Sequence, residues 1–283
     1  MNETFDIKEP EIKREDILLL EDSDFVDENV CIVTGAGSGI GRAAAIASAV
    51  NGLFTIGIDC NEKAVEKTVE IATNLGGKMD FVRADLTVDK DIETAVEKAA
   101  SMGKIRYLAN IAGIQTVSPI EDFPMEKYDQ MQRLMLRAPF YLSKLVIGHM
   151  KSNGDGCGVI ANMASIHAHI CPPNKSVYCI TKFGLRGLTQ AISAEGAGKI
   201  RSFSLSTAYV KTPLVLNQIA DQAKTRNVTA KQVVEDIMLG NSRIKDMMTP
   251  AEVANLMMFG FSHHSRFLIS SDMLFDGGVV LTY

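Results

Sequence analysis

The sequence contains no tryptophan, no cysteine pair with C-x-x-C spacing and no run of lysine or arginine. Its five cysteines are scattered and odd in number, which predicts reduced thiols and no structural metal. With a formal charge of −5, the chain lacks the basic surface that nucleic acids and anionic membranes require. We therefore expect neither as a partner and expect a small-molecule ligand. The cysteines are Cys31, Cys60, Cys157, Cys171 and Cys179.

Long apolar segments are also missing. The most apolar windows, residues 43–50 and 54–58, are far shorter than the roughly 20 residues that cross a bilayer. The N-terminus, Met1-Asn2-Glu3, begins neither a basic leader nor an apolar one. These absences predict a cytoplasmic chain without an export signal or a membrane span.

What the sequence does contain is an alternation of short β-branched runs with amphipathic segments of helical period. This alternation predicts a single-domain α/β protein with a Rossmann-like, doubly wound parallel sheet over residues 29–283. Residues 1–28, rich in Glu, Asp and Lys, are predicted to be an N-terminal extension. The predicted strands are Val30–Thr34, Phe54–Asp59, Met79–Ala84, Tyr107–Ile111, Gly158–Met163, Ser202–Thr207 and Arg266–Phe275, and the predicted helices include Glu62–Leu75, Asp89–Met102 and Met125–Met150.

One region interrupts the alternation. From Pro213 to Thr249 the pattern is helical and contains no strand. We interpret residues 213–249 as a mobile helical lid over a substrate site. A static helical insertion that covers the sheet is the alternative.

A glycine-rich loop follows the first predicted strand and leads into a helix-forming run, in the segment Thr34-Gly35-Ala36-Gly37-Ser38-Gly39-Ile40-Gly41. Glycines let the backbone approach a pyrophosphate, and the free N–H groups at a helix start favour an anion. This context predicts a dinucleotide site. Its residues are Gly35, Gly37, Ser38, Gly39, Ile40 and Gly41.

The next strands supply the remainder of this site. Asp59 ends the second strand, where its carboxylate accepts hydrogen bonds from ribose hydroxyls and repels a 2′-phosphate. No Arg or Lys stands beside it in the sequence, so we predict NAD rather than NADP. Asp85, Leu86, Asn110, Ala112 and Gly113 follow the third and fourth strands and are expected to line the adenine and ribose region, with a helix N-cap as the alternative role of Asp85.

The candidate reactive residues are Ser165, Tyr178 and Lys182. Tyr178 and Lys182 are four residues apart and therefore share one face of a helix. A phenol with a pKa of about 10 needs a nearby cation to act as an acid or base near neutrality. Lys182 supplies that charge, together with the positive nicotinamide ring, and Ser165 is placed to hold a substrate oxygen beside Tyr178.

These motifs resemble the short-chain dehydrogenase/reductase family over residues 29–283. The T-G-x-x-x-G-x-G loop, the Asn110-Ile111-Ala112-Gly113 element, the Y-x-x-x-K pair, Thr212-Pro213 and Asp276-Gly277-Gly278 carry the likeness. The resemblance implies that Tyr178 is a general acid/base, that Lys182 lowers its pKa and binds ribose, and that Ser165 orients the oxygen. It also implies cofactor contacts from Val210 and Thr212, and a homotetramer that uses helix faces and the C-terminal residues Val279–Tyr283.

Within that family the chain is similar to D-3-hydroxybutyrate dehydrogenases. The signatures are Gly113-Ile114-Gln115, Ser165-Ile166-His167, the segment from Asn174 to Tyr178, and Thr212-Pro213-Leu214 with Gln218. The likeness implies that four side chains bind a substrate carboxylate, for which charge-assisted donors are the best partners. They are Gln115, His167, Lys175 and Gln218.

Three positions depart from the family pattern: Met135 stands where many members carry an Asn of a proton relay, Thr207-Ala208 replaces Pro-Gly, and Val279 replaces an aromatic residue. Two alternatives therefore stay open. One is a reductase or dehydrogenase for another small keto or hydroxy compound or a carrier-bound 3-ketoacyl group. The other is a non-catalytic NAD(H)-binding sensor.

Overall fold

Seven short strands, rich in β-branched and small apolar residues, form the centre of the molecule. The computed structural model describes residues 8–281, without the side chains of Asp221 and Thr225. The strands are β1 (Asn29–Thr34), β2 (Phe54–Asp59), β3 (Met79–Arg83), β4 (Lys104–Asn110), β5 (Gly158–Met163), β6 (Ile200–Thr207) and β7 (Asp272–Phe275). All pair in parallel, in the order β3-β2-β1-β4-β5-β6-β7.

Helices cover both faces of this sheet. They are α1 (Gly39–Val50), α2 (Glu62–Asn74), α3 (Asp89–Met102), α4 (Met125–Gln132), α5 (Ala138–Ser152), α6 (Ser176–Glu195), α7 (Pro213–Arg226), the single turn α8 (Ala230–Gln232) and α9 (Pro250–Phe261). Apolar side chains of α1, α2 and α9 form one core cluster, and those of α3, α5 and α6 form the other. The predicted doubly wound α/β fold is therefore confirmed.

The strand order determines where a ligand binds. The chain begins at β1, moves outward to β3 and then returns to β4 on the other side of β1. In open parallel sheets the crevice beyond the carboxyl ends of the two strands at such a reversal is the ligand site. The glycine-rich loop after β1 and the Asn110-Ile111-Ala112-Gly113 element after β4 meet there.

Most predicted elements agree with the structure to within about three residues at each end, and two differ by more. The last strand is Asp272–Phe275, shorter than predicted, because a 3-10 turn at His263–Ser265 and the left-handed backbone of Ser270 (φ 58°) precede it. The apolar side chain of Phe267 therefore lies 83% exposed rather than within the sheet. The long helix predicted for Met125–Met150 is divided by a π-helical segment at Arg133–Arg137.

The described part of the N-terminal extension packs on the sheet domain. Ile17 and Phe25 are buried, and the Phe25 ring lies edge-on to Tyr107 with 5.8 Å between centroids. The N–H of Leu20 donates to Asn51 Oδ1 at the end of α1 (2.9 Å). Residues 1–7 of the predicted extension and residues 282–283 of the predicted C-terminal interface lie outside the described residues.

The predicted lid contains α7, α8 and a π-helical segment at Val233–Met238, and no strand. It has an apolar cluster of its own, in which Val233 and Met238 are buried. A parallel bridge between Val210 and Met248 joins its two ends. None of the described helices is long and apolar enough to cross a membrane.

Candidate active site

The glycine-rich loop between β1 and α1 requires its glycines for steric reasons. Gly35 and Gly39 have positive φ values of 69° and 53°, in the region that favours glycine. A Cβ on Gly41 would overlap the carbonyl oxygen of Gly35, and a Cβ on Gly37 would lie 2.8 Å from Asp59 Oδ2. The backbone therefore forms a tight concave cradle at the start of α1, which fits a pyrophosphate.

Asp59 at the end of β2 is held against this loop. Its Oδ2 accepts from the N–H of Gly37 (2.9 Å), and its Oδ1 accepts from the N–H of Asn61 (2.9 Å). Two backbone donors fix the carboxylate beside the loop. This is the position in which a carboxylate meets the adenosine ribose of a dinucleotide.

A cleft of about 420 Å³ lies at the carboxyl ends of the strands. Fifteen of the predicted site residues line it, among them all three candidate reactive residues. They are Gly35, Ser38, Gly39, Ile40, Gly41, Asp59, Asp85, Leu86, Ala112, Gly113, Ser165, Tyr178, Lys182, Val210 and Thr212. Six predicted residues lie outside this lining, namely Gly37, Asn110, Gln115, His167, Lys175 and Gln218.

Asp85 and Asn110 have local structural partners. Asp85 Oδ1 accepts from the N–H (2.9 Å) and the hydroxyl (2.8 Å) of Thr87. The alternative in which Asp85 caps the next helix is wrong, because Val88 is the N-cap of α3. The buried Asn110 side chain donates to Asn162 Oδ1 (2.9 Å) and so joins the ends of β4 and β5.

Ser165, Tyr178 and Lys182 come together because β5 ends beside the first turns of α6. The hydroxyl of Ser165 lies near the phenol of Tyr178 and lowers its pKa. The ammonium of Lys182 lies 5.3 Å from the Tyr178 ring centroid and donates to the carbonyl oxygen of Met163 (2.7 Å). The four-residue spacing in α6 thus places both groups on one face, as predicted.

Burial dominates the electrostatics of this group. It raises the pKa of Tyr178 to about 12, although the hydrogen bond from Ser165 acts in the opposite direction. It lowers the pKa of Lys182 to about 8, because no described carboxylate compensates the buried ammonium. The positive nicotinamide ring of bound NAD(P)⁺ would add a second charge to that of Lys182, and both charges favour the phenolate of Tyr178.

His167 lies beside the same group, and Lys175 is near enough to His167 to affect its pKa. The His167 ring is edge-on to Tyr178 with 5.7 Å between centroids, and its Nδ1 is 3.4 Å from Ser165 Oγ. Burial, with Lys175 and Lys182 nearby, lowers the pKa of His167 to about 3, so the ring is neutral at neutral pH. Burial also lowers the pKa of Lys175. Any charge-assisted bond from this pair comes from Lys175.

Gln115 and Gln218 meet although 103 positions separate them. Gln218 Nε2, on α7, donates to Gln115 Oε1 (2.9 Å) and to the carbonyl oxygen of Leu214 (3.1 Å). Gln115 Nε2 is buried and has no hydrogen-bond partner among the described residues. This contact joins the loop after β4 to the predicted lid and leaves one amide donor free.

Met135 lies within the π-helical segment, beside the site. Its side chain is fully buried, and its sulfur would lie 3.3 Å from a Cβ on Gly113. A thioether has no N–H to donate and is a weak acceptor. The side chain at this position therefore contributes packing and no amide.

Two contacts were not predicted from the sequence. Glu9 Oε1, in the N-terminal extension, accepts from the N–H of Gly39 in the glycine-rich loop (2.6 Å), and Arg42 lies 3.8 Å from the same carboxylate. His169 Nε2 lies 2.7 Å from Asp272 Oδ2, so the turn that bears Ser165 is tied to β7. Neither pair has a local sequence signal, because each joins residues that are distant along the chain.

Comparison with known proteins identifies the family. The short chain dehydrogenase family matches residues 29–223. A D-beta-hydroxybutyrate dehydrogenase of Rhizobium meliloti is 34% identical over 251 residues, covering 87% of this chain and 96% of that protein. A cyclohexanol dehydrogenase of an Acinetobacter species is 32% identical, covering 89% and 94%. The crystal structure of a short-chain type dehydrogenase/reductase from Mycobacterium marinum has a TM-score of 0.82 and 26% identity, covering 92% and 98%. The cradle of glycines, the group around Tyr178 and these likenesses lead to one conclusion: the chain belongs to the short-chain dehydrogenase/reductase family and is an oxidoreductase that acts on CH–OH groups with NAD(P).

Proposed function

We propose that this enzyme interconverts the short 3-hydroxy acid D-3-hydroxybutyrate and its 3-keto acid, acetoacetate, with NAD. The observation that carries the proposal is the buried Gln115 Nε2, which has no partner among the described residues while Gln218 holds its oxygen. A buried donor without an acceptor costs about 1–3 kcal/mol. A ligand carboxylate is the acceptor that relieves this cost best.

Lys175 and His167 support the same ligand chemistry. Lys175 carries an ammonium that burial makes easier to deprotonate, and no described carboxylate pairs with it. His167 is neutral at neutral pH and lies beside both Ser165 and Tyr178. A four-carbon hydroxy acid has its carboxylate only a few ångströms from its carbinol carbon. Donors this close to Tyr178 therefore suit a short acid.

The reaction requires a proton and a hydride to leave the substrate. Ser165 is proposed to donate a hydrogen bond to the substrate oxygen, and Tyr178 to take the hydroxyl proton. Lys182 favours the phenolate because its charge stabilises it. Bound NAD⁺ supplies the hydride acceptor. In reduction of the keto acid, Tyr178 returns the proton.

The choice of NAD over NADP is supported by charge. Asp59 faces the loop, and Lys182 at the opposite, reacting end is the only Lys or Arg of the described residues that lines the cleft. Arg42 is engaged by the carbonyl oxygen of Gly37, by Thr68 and by Glu9. Among the described residues that line the cleft, no Lys or Arg therefore stands at the ribose end to hold a 2′-phosphate, and Asp59 repels one. The test is the ratio of kcat/KM for NAD⁺ and NADP⁺.

A substrate panel with two matched variants tests the substrate. The wild type is expected to oxidise D-3-hydroxybutyrate faster than its L isomer, longer hydroxy acids or cyclohexanol. Lys175→Met is expected to raise KM for D-3-hydroxybutyrate about 10- to 100-fold, the value of a charge-assisted hydrogen bond. The control Lys151→Met removes an exposed lysine at the end of α5 and should change nothing. If the wild type does not turn over D-3-hydroxybutyrate, the proposal that this acid is the substrate is refuted.

A second candidate substrate is an uncharged secondary alcohol or ketone. Ile114, Leu134, Leu214 and Val215 line the cleft and give it an apolar wall. The similar cyclohexanol dehydrogenase of Acinetobacter is named for a substrate of this class. If this reading is right, cyclohexanol is the better substrate and Lys175→Met leaves its KM unchanged.

We also propose that the enzyme is a homotetramer. A groove between the π-helical segment with α5 and the facing helix α6 is lined by Leu136, Phe140, Gly184, Gly187 and Leu188. Phe140 is 61% exposed in the isolated chain. Exposed apolar surface of this kind supports burial against another copy. Light scattering is expected to give about four times the chain mass of 30.8 kDa.

A further inference from the structure

Two of the five cysteines lie beside each other, next to the candidate active site. Cys171 follows the turn that bears Ser165 and His167, and Cys179 follows Tyr178 on α6. The thiol of Cys179 approaches the carbonyl oxygen of Ile170 (3.9 Å), in the peptide that leads into Cys171. The thiol of Cys171 is also one of the neighbours that raise the pKa of Cys179. The contact with the Ile170 carbonyl and the interaction between the thiols therefore place the two cysteines side by side.

The other cysteines have different surroundings. Cys31 is buried against Ser48, with 3.6 Å between Sγ and Oγ. Cys157 is within 3.5 Å of the carbonyl oxygen of Asp155, and Cys60 lies at the end of β2. No described thiol other than the two near α6 has a second thiol as its partner.

We propose that Cys171 and Cys179 are a thiol oxidation site, at which a peroxide produces a reversible disulfide next to Tyr178. Cys171 is exposed, so a peroxide reaches it, and Cys179 is buried behind it. This arrangement of an accessible and a shielded thiol is typical of a sensing cysteine with its resolving partner.

The chemistry balances in two steps. The Cys171 thiolate attacks one oxygen of hydrogen peroxide, the O–O bond breaks, a sulfenic acid forms and the released hydroxide takes up a proton. The Cys179 sulfur then attacks the Cys171 sulfur, the S–OH bond breaks and water leaves. Two thiols lose two electrons and two protons, and one peroxide becomes two water molecules.

The protonation of Cys179 agrees with this order of steps. Burial and the Cys171 thiol raise the pKa of Cys179, while the ammonium of Lys175 acts in the opposite direction. Cys179 is therefore a thiol at neutral pH and a poor target for peroxide. The exposed Cys171 reacts first, and Cys179 follows once the sulfenic acid is beside it.

The bond would close a loop over residues 171–179, which contains both Lys175 and Tyr178. A disulfide holds its two sulfur atoms about 2 Å apart, closer than two thiols in contact, so Cys171 must move toward α6. Displacement of a substrate-positioning group by about 1 Å is enough to reduce a rate about 100-fold. We expect oxidation to lower kcat/KM at least about 10-fold. This effect rests on the role proposed for Lys175, whereas the bond itself does not.

Peptide mapping of the NAD-bound enzyme tests the bond without a substrate. After treatment with stoichiometric hydrogen peroxide, mass spectrometry under non-reducing conditions is expected to find the Cys171 and Cys179 peptides linked, and separate again after dithiothreitol. Cys171→Ser should abolish the link, and the control Cys157→Ser should retain it. If the mapping instead finds Cys171 as a sulfinic acid and Cys179 as a free thiol, the proposed disulfide is wrong.

Activity before and after oxidation tests the consequence. The oxidised wild type should lose turnover and regain it with dithiothreitol, whereas Cys171→Ser, which folds without any buried change, should keep its turnover under peroxide. A linked enzyme that retains full activity would refute the regulatory effect. If D-3-hydroxybutyrate is not a substrate, the mapped link is unaffected, so failure of the two proposals can be told apart.

Discussion

At the residue scale, the phenol of Tyr178 is the group through which the proton is expected to move. Tyr178→Phe removes the hydroxyl and keeps the ring that packs beside His167. We expect kcat to fall about 10³-fold, within the range of a general acid/base, while the NADH dissociation constant stays within about 3-fold. Steady-state kinetics and a fluorescence titration measure the two quantities. Unchanged turnover in this variant, or a wild type that binds NADH without any turnover, would favour the sensor alternative.

The buried ammonium of Lys182 predicts how stability depends on pH. Burial lowers its pKa to about 8 from an ordinary value of 10.5. Between these values the unfolded chain binds more protons than the native one, so this residue makes stability rise with pH across that window. Without cofactor, the free energy of unfolding of the wild type should increase by about 2 kcal/mol relative to Lys182→Met between about pH 7 and pH 9.5.

Urea unfolding followed by circular dichroism measures that difference. Between pH 7 and pH 9.5 the carboxylates and histidines contribute equally to the free energy of unfolding of both proteins. The difference between wild type and Lys182→Met therefore reports on Lys182. An equal difference at the two pH values would show that the ammonium is not destabilised by its surroundings. The variant also lacks the donor to the Met163 carbonyl oxygen, which affects both pH values alike.

The sequence predicted the relative placement of Tyr178 and Lys182 but not the surroundings of the candidate reactive residues. The four-residue spacing of Tyr178 and Lys182 is a property of any helix, so their common face followed directly. The neutral state of His167 did not, because its pKa depends on burial and on two lysines brought near by folding. The Gln115 and Gln218 contact was likewise visible only as two separate candidates, since nothing local links the loop after β4 to α7.

At the element scale, the turn from β1 into α1 depends on the missing side chain of Gly41. Gly41→Ala places a Cβ on the carbonyl oxygen of Gly35, which is backbone and cannot rotate away. We expect the NADH affinity to fall at least about 10-fold, with a loss of stability of about 2–3 kcal/mol from overpacking. Gly148→Ala in α5 is the matched control, because no atom outside the neighbouring backbone of its own helix lies within 4 Å of its Cβ.

Calorimetric titration of NADH and thermal unfolding separate the two effects. The control should be as stable as the wild type or slightly more so, since alanine is a better helix former than glycine by about 1 kcal/mol. If Gly41→Ala binds NADH with normal affinity, the loop does not form the cradle.

Two elements also show what apolar patterns in the sequence cannot predict. Apolar periodicity predicted one helix over Met125–Met150, and a π-helical segment of five residues keeps the same period to within one residue. The run Phe267-Leu268-Ile269 resembled a strand in composition, but Ser270 adopts a left-handed backbone that ends any strand before Asp272. The composition of residues 267–269 favours a strand, but the turn at Ser270 determines where the strand begins.

At the scale of the whole molecule, the N-terminal extension contacts both the segment that follows α9 and the glycine-rich loop. Asp22 accepts from the backbone N–H of His263 (2.6 Å), after α9, and Glu9 accepts from Gly39. We propose that residues 8–28 brace the sheet domain, a role that their charged composition did not predict. Ile17 and Phe25 are the buried apolar residues of the described extension, too few to produce a periodic signal.

Phe25 gives this proposal its test. Its ring is 7% exposed and packs edge-on against Tyr107, which itself contacts Phe261 of α9 with 5.2 Å between centroids. Phe25→Ala is expected to cost about 3 kcal/mol, the lower range for a buried phenylalanine, and to lower Tm by about 6 °C. The neighbouring Val26→Ala, at a side chain 39% exposed, should change Tm by less than about 1 °C. Equal Tm values for wild type and Phe25→Ala would mean that the extension is an appendage.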